Sequence, residues 1–169
     1  MLSNKIEEAL NTQLNHEFYS AYLYLSMSAW CQANDYVGMA NWMKVQFEEE
    51  QFHALKFFNY ITERDGKVIL NRINTPPNDW ASPTELFEST LGHEQKVTSL
   101  INDLMYLARD ERDNASEVFL GWFINEQVEE EASVKTILGK LRIAKDSPQA
   151  LLMIDQELSA RVFTPPTTA

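Results

Sequence analysis

The chain has 169 residues and a mass of 19.5 kDa, which is room for one ordinary domain with its own core and too little for two large ones. Against 14 Lys+Arg stand 25 Asp+Glu, a net charge of −11, which excludes a basic nucleic-acid face and an anionic-membrane surface and suits solubility and cation binding. Five glycines, a single cysteine (Cys31) and no apolar run of about 18 residues exclude a chain of many short strands, an internal disulfide and a membrane span.

The first helix is predicted over about Asn4–Ala33, closing near Asn34, Asp35 and Gly38. The second covers about Met39–Arg64 and stops at Asp65-Gly66, with Gly66 as the helix-ending glycine. Residues 66–82 hold Pro76, Pro77, Asn78 and Asp79 and read as a loop. Ser82-Pro83, with Glu85 three residues after the serine, opens the third helix, which runs to about Asp110. Asp113 or Asn114 opens the fourth, to about Lys145, and Ser147-Pro148 opens a short fifth, to about Arg161. The domain is expected over 1–163, with a mobile tail at 164–169. The start, Met1 to Glu17, is polar and acidic with no signal-like apolar region, so a reducing, cytoplasmic setting is expected.

Loop lengths give the topology. Short connections make helices one and two, and three and four, antiparallel neighbours. The loop between two and three can span roughly 56 Å, enough to run the length of a helix of roughly 40 Å. The expected fold is all-α: a four-helix bundle with one long crossover, helices two and three parallel, and a short fifth helix.

Each long helix carries an apolar stripe at 3/4 spacing, and each stripe is interrupted at mid-length. The interruptions are Glu17 in the first helix, Gln46, Glu50 and His53 in the second, Glu94 in the third, and Gln127 and Glu130 in the fourth. Glu17 to Glu50 is 33 residues, and so is Glu94 to Gln127. A shift of 77 superposes His16-Glu17 on His93-Glu94, so the two hairpins read as a weak internal duplication. Each hairpin offers one polar residue from its first helix and an i, i+3 pair, on one face, from its second. Four unpaired carboxylates side by side in a core are prohibitively expensive, and bound dications neutralise them. Carboxylates with an imidazole suit iron or manganese, and zinc's preference for tetrahedral closure weighs against it. The layout is that of di-metal carboxylate bundles, a Glu from each of two helices with Glu-x-x-His on the others.

Four motifs carry a resemblance: Asn15-His16-Glu17-Phe18-Tyr19-Ser20-Ala21-Tyr22, Glu48-Glu49-Glu50-Gln51-Phe52-His53, Gly92-His93-Glu94, and Asn125-Glu126-Gln127-Val128-Glu129-Glu130-Glu131. With them, essentially the whole chain resembles a ferritin of the bacterial non-haem type. The resemblance implies that Glu17, Glu50 and His53 hold a first iron, with Glu50 bridging, and that Glu94 and Glu130 hold a second. Gln127 would sit beside that centre and Tyr24 would be the nearby tyrosine. It implies a third iron position built from Glu49, Glu126, Glu129 and Glu130. It further implies ferroxidase activity towards Fe²⁺ with O₂ or H₂O₂, and a hollow shell of 24 subunits storing ferric mineral, with helix five near the four-fold axes. Gln127 and Glu130 stand where a strict duplication would have Glu and His, so a less symmetric centre is expected. Haem is not expected, because Gln51 follows the bridging glutamate where haem-binding relatives have methionine.

Blander readings stand beside these. The buried acids could be a polar layer fixing helix register, and Glu49, Glu126 and Glu129 a solvated acidic face. Tyr24 could be plain core. Trp122, His16, His93 and Met27, Met39, Met43 and Met105 read as structural, and Cys31 as a buried thiol. Glu117 aligns with pore-lining acids of the family, although Leu120 replaces its companion. The alternative functions are a non-catalytic, mineral-nucleating subunit and a di-iron oxygenase or peroxidase of the same fold.

Overall fold

A computed structural model describes residues 2–145 and 147–165; the end of the expected tail, from 166 on, lies outside them. The described residues form α1 (Asn4–Ala33), α2 (Val37–Glu63), α3 (Pro83–Asp110), α4 (Asn114–Ala144) and α5 (Pro148–Leu158), with no strand among them. No helix is long and apolar enough to cross a membrane.

The helix starts follow from capping chemistry. Side-chain oxygens of Ser3, Ser82, Asp113 and Ser147 accept from the backbone N–H of Ile6, Glu85, Ser116 and Ala150. Each such cap is worth about 1 kcal/mol. Tyr36, before α2, has no capping side chain of its own. The Asp155 carboxylate on α5 replaces it, accepting from the N–H of Gly38 (3.0 Å) and Met39 (2.8 Å). Asn41 reciprocates, donating through Nδ2 to the Arg161 carbonyl just beyond α5 (2.9 Å). A Cβ on Gly38 would lie 1.6 Å from the Asp155 carbonyl oxygen, so that glycine is there for close approach.

Helix ends correct one expectation. The left-handed residue after α2 is Asp65 (φ 59°), not Gly66. The Gly66 N–H closes back on the Ile61 carbonyl at 2.8 Å, and the same double closure follows α1 at Asp35 and α3 at Arg112. Gly66 is needed for space, because a Cβ there would meet Ile61 and Leu2 at about 3 Å. The fifth helix also ends earlier than expected, at Leu158 rather than Arg161.

Cross-helix contacts settle direction. Ser28 meets Ala40 on α2, while Met27 meets Thr90 and Tyr24 meets Glu94 on α3. Both neighbours therefore run opposite to α1 and parallel to each other. Pairs Gln46–Glu130 and Arg64–Asp113 make α4 antiparallel to α2. The crossover follows α1 from bottom to top. The amides of Asn11 and Asn15 each donate to one loop carbonyl, of Lys67 and Ile69, and accept from one loop N–H, of Ile69 and Asn71. Ser26 and Trp30 hold Pro77 and Asp79 further along.

The core is in two apolar halves. One gathers Tyr24, Met27, Cys31, Met39, Met43, Phe87, Leu138 and Leu141 with α5 residues Ile154 and Leu158. The other gathers Leu10, Leu14, Phe57, Ile61, Ile101, Leu120 and Phe123. Between them lies a buried polar belt: Glu17, Gln46, Glu50, His53, Glu94, Gln127 and Glu130.

Candidate metal centre

All four predicted core glutamates and His53 point inward, and none is more than 4% exposed. In the first hairpin Glu17, Glu50 and His53 present ligand atoms within 4.8 Å of one another. His53 Nδ1 lies 3.4 Å from Glu50 Oε2. Gln13, one turn before Glu17, donates to its Oε1 at 2.9 Å. Glu17 Oε2 and Glu50 Oε2 are buried with no hydrogen-bond partner among the described residues. Burial, and then the Glu50 charge for Glu17 and the Glu94 and Glu130 charges for Glu50, raises both carboxyls well above the usual range.

The second hairpin is better satisfied. Glu94 Oε1 accepts from the Tyr24 hydroxyl, and its Oε2 accepts from Gln127 Nε2 at 3.1 Å. Burial and the neighbouring Glu130 raise Glu94 to about 8, while the hydrogen bonds from Tyr24 and Gln127 oppose the rise. Burial and the Glu94 charge raise the Tyr24 phenol in turn, so it stays a donor. Gln46 Nε2 donates to Glu130 Oε2 at 2.9 Å. A second triad, His53, Glu126 and Glu130, lies on the far side of the imidazole, with His53 Nε2 3.9 Å from Glu126 Oε1. Glu94 joins neither triad, and Glu129 is exposed on α4.

Unpartnered carboxylate oxygens in a dry belt are what a dication would satisfy, so the donor set fits metal binding. A Ferritin-like domain model matches residues 7–144. The bacterial non-heme ferritin of Staphylococcus aureus (strain USA300) is 40% identical over 163 residues, 96% of this chain and 98% of its own. The chain belongs to the ferritin family. The bacterial non-heme ferritin of Staphylococcus saprophyticus is equally similar, at 40% over 96% of this chain. Among solved structures, the open-pore ferritin of the hyperthermophilic archaeon Archaeoglobus fulgidus superposes with a TM-score of 0.95 at 46% identity, covering 96% of this chain and all of that one. A humanized archaeal ferritin gives 0.97 at 47% identity, covering 98% of this chain and all of its own. Iron storage is the function that membership supports.

Sequence reasoning about this ferritin passed over Gln13 and Ser20, and gave Gln46 no role beyond its place in the interrupted stripe. Gln13 and Gln46 each sit one turn before a buried glutamate, and that i, i+4 spacing was a readable signal. Ser20, whose hydroxyl meets His93 Nε2 at 2.8 Å, fixes that imidazole beside Tyr24. Burial lowers His93 to about 4, consistent with a structural ring. Trp122 lies edge-on to His53 with ring centres 5.4 Å apart, and Lys56 sits 4.2 Å over the Trp122 ring. Cys31 is buried and its thiol is pushed up to about 12, mainly by burial, so it is unreactive. No sequence signal foretold Arg161, whose Nη2 lies 2.5 Å from Glu49 Oε2.

Proposed function

We propose that this ferritin oxidises Fe²⁺ at a two-metal centre inside each subunit and stores the product as ferric oxyhydroxide in a hollow shell of 24 copies. The single observation that carries this is the pair of buried, unpartnered oxygens on Glu17 and Glu50 beside His53. An organising polar layer would have satisfied them. In this reading Glu17, Glu50 and His53 hold the first Fe²⁺. Glu94 and Glu130 hold the second, with Glu50 between the two and Gln127 alongside.

The protein's part is positioning and charge. Glu50 holds both ions, so each can give one electron to the same O₂ or H₂O₂. Tyr24 keeps Glu94 oriented by its hydroxyl, and Gln46 does the same for Glu130. Oxidised iron then moves outward past Glu126, Glu129 and Glu49, which with Glu130 make up the expected third position. His53 faces both the inner centre and Glu126, which supports that route. No haem enters this scheme, and the cytoplasm remains the proposed location.

Glu50→Ala removes a ligand from both ions. Replacing a group that only orients a ligand costs about 10–100-fold. Loss of the bridge is therefore expected to slow Fe²⁺ oxidation by at least about 100-fold in stopped-flow absorbance. Oxidation at the wild-type rate would sink the assignment. A purely nucleating subunit would instead take up fewer than two tight Fe²⁺ per subunit under anaerobic titration.

A further inference from the structure

The three outer acids have unlike surroundings. Glu129 is exposed, and Glu126 faces His53 and Lys56. Glu49 is held by a guanidinium that comes from the far end of the chain. After α5 the backbone from Ser159 to Thr164 lies along one face of α2 as a strap. Asn41 holds it by the Arg161 carbonyl at 2.9 Å. Trp42 carries the Arg161 guanidinium on its ring at 4.4 Å. Phe163 rests against Phe52, with ring centres 6.1 Å apart. Trp42, Glu49 and Phe52 recur at helical spacing, so the strap covers a single stripe.

We propose that Arg161 is the resident counter-cation of the outer acids, holding Glu49 in place of a third metal ion, so that the strap sets how many ions each subunit keeps. This rests on the two-metal reading above. A dication on the Glu49 carboxylate would lie within a few ångströms of the guanidinium, and like charges that close repel strongly where water is scarce. The two therefore compete for one carboxylate. The hold is breakable. Glu49 is gripped through one nitrogen of the guanidinium and not by a two-pronged fork. Arg161 Nη1 is buried with no partner among the described residues. Both side chains keep about a fifth to a quarter of their surface in water. An arriving ion can exchange with the guanidinium, which swings away on the strap without disturbing α5. The outer position is thus a place iron passes through and not one where it stays.

The test is calorimetric titration of the metal-free, assembled protein with Fe²⁺ under anaerobic conditions, repeated with Zn²⁺ as a redox-inert probe. Wild type is expected to take two tight equivalents per subunit. Arg161→Gln is expected to take a third, at least tenfold tighter than any third ion on wild type, while Arg161→Lys, which keeps the charge, stays at two. A chain ending at Ala160, which lacks Arg161 and the rest of the strap beyond it but keeps all of α5, repeats the Arg161→Gln result and covers the case in which that variant misfolds. A wild type that already binds three tight ions overturns the inference, as do variant and truncated chains that both stop at two. Glu50→Ala separates the two layers. If it leaves the two tight equivalents in place, the two-metal reading falls and takes this inference with it. If it removes them while Arg161→Gln adds nothing, only the inference falls.

Discussion

The two hairpins are built on one plan and finished differently. In α1–α2 the inward acids stand beside an imidazole, and two carboxylate oxygens have no donor among the described residues. In α3–α4 a glutamine and a second glutamate replace that pair, and donors from Tyr24, Gln127 and Gln46 occupy the carboxylates. The first half is therefore poised for a cation and strained without one. The second half is largely content without metal, and an ion arriving there displaces hydrogen bonds already made. The difference teaches that asymmetry in a duplicated site can lie in its supporting donors as much as in its ligands.

The largest break in this comparison is His53→Ala, which removes the imidazole of the proposed first position. Its tight equivalent is expected to weaken by at least about 100-fold, more than a hydrogen-bonded second-position acid would cost on removal. Anaerobic titration of His53→Ala beside Glu130→Ala measures this, and equal losses would erase the asymmetry. Next in size is pH. Glu94 sits near 8, with Glu17 and Glu50 also well raised, so below about 8 the folded, metal-free chain holds protons that a free carboxyl, at 4.5, has already lost. The sign follows: metal-free stability falls as pH rises from about 4.5 through 8, and metal affinity rises over the same window. Loading at pH 7 should release more than about one proton per subunit, declining above pH 8. Calorimetry in buffers of different ionisation enthalpy reads that number. The smallest effect is Tyr24→Phe. It leaves Glu94 Oε1 buried without its donor, lowering metal-free stability by about 1–3 kcal/mol. It should weaken the second equivalent by about tenfold while sparing the first. A variant that changed both equally would place Tyr24 at the shared centre and not in the second half.

Much of this is legible in the sequence alone. Ser82-Pro83 and Ser147-Pro148 announced two helix starts because capping is local chemistry. The inward acids were legible because their spacing contradicts the stripe they interrupt. Gly66 misled because aspartate also tolerates the left-handed conformation, and here Asp65 takes it while the glycine answers a steric demand. Glu129 carried the same local signal as Glu126, yet the turn of α4 leaves it in solvent. Asp155 and Arg161 were illegible for a different reason. Each completes a site on α2 from more than 100 positions away, and no local pattern encodes such a partner.

Gly38 joins these threads. Its lack of a side chain lets α5 touch the α2 backbone, and on that contact rest the Asp155 cap and the course of the strap that carries Arg161. A lineage that acquired even alanine at 38 would have to lift α5, and the guanidinium would leave Glu49 with it. Positions 38 and 161 are thereby mechanically coupled, and a helix-start glycine becomes a lever on the Arg161–Glu49 contact that leaves every acid of the belt unaltered.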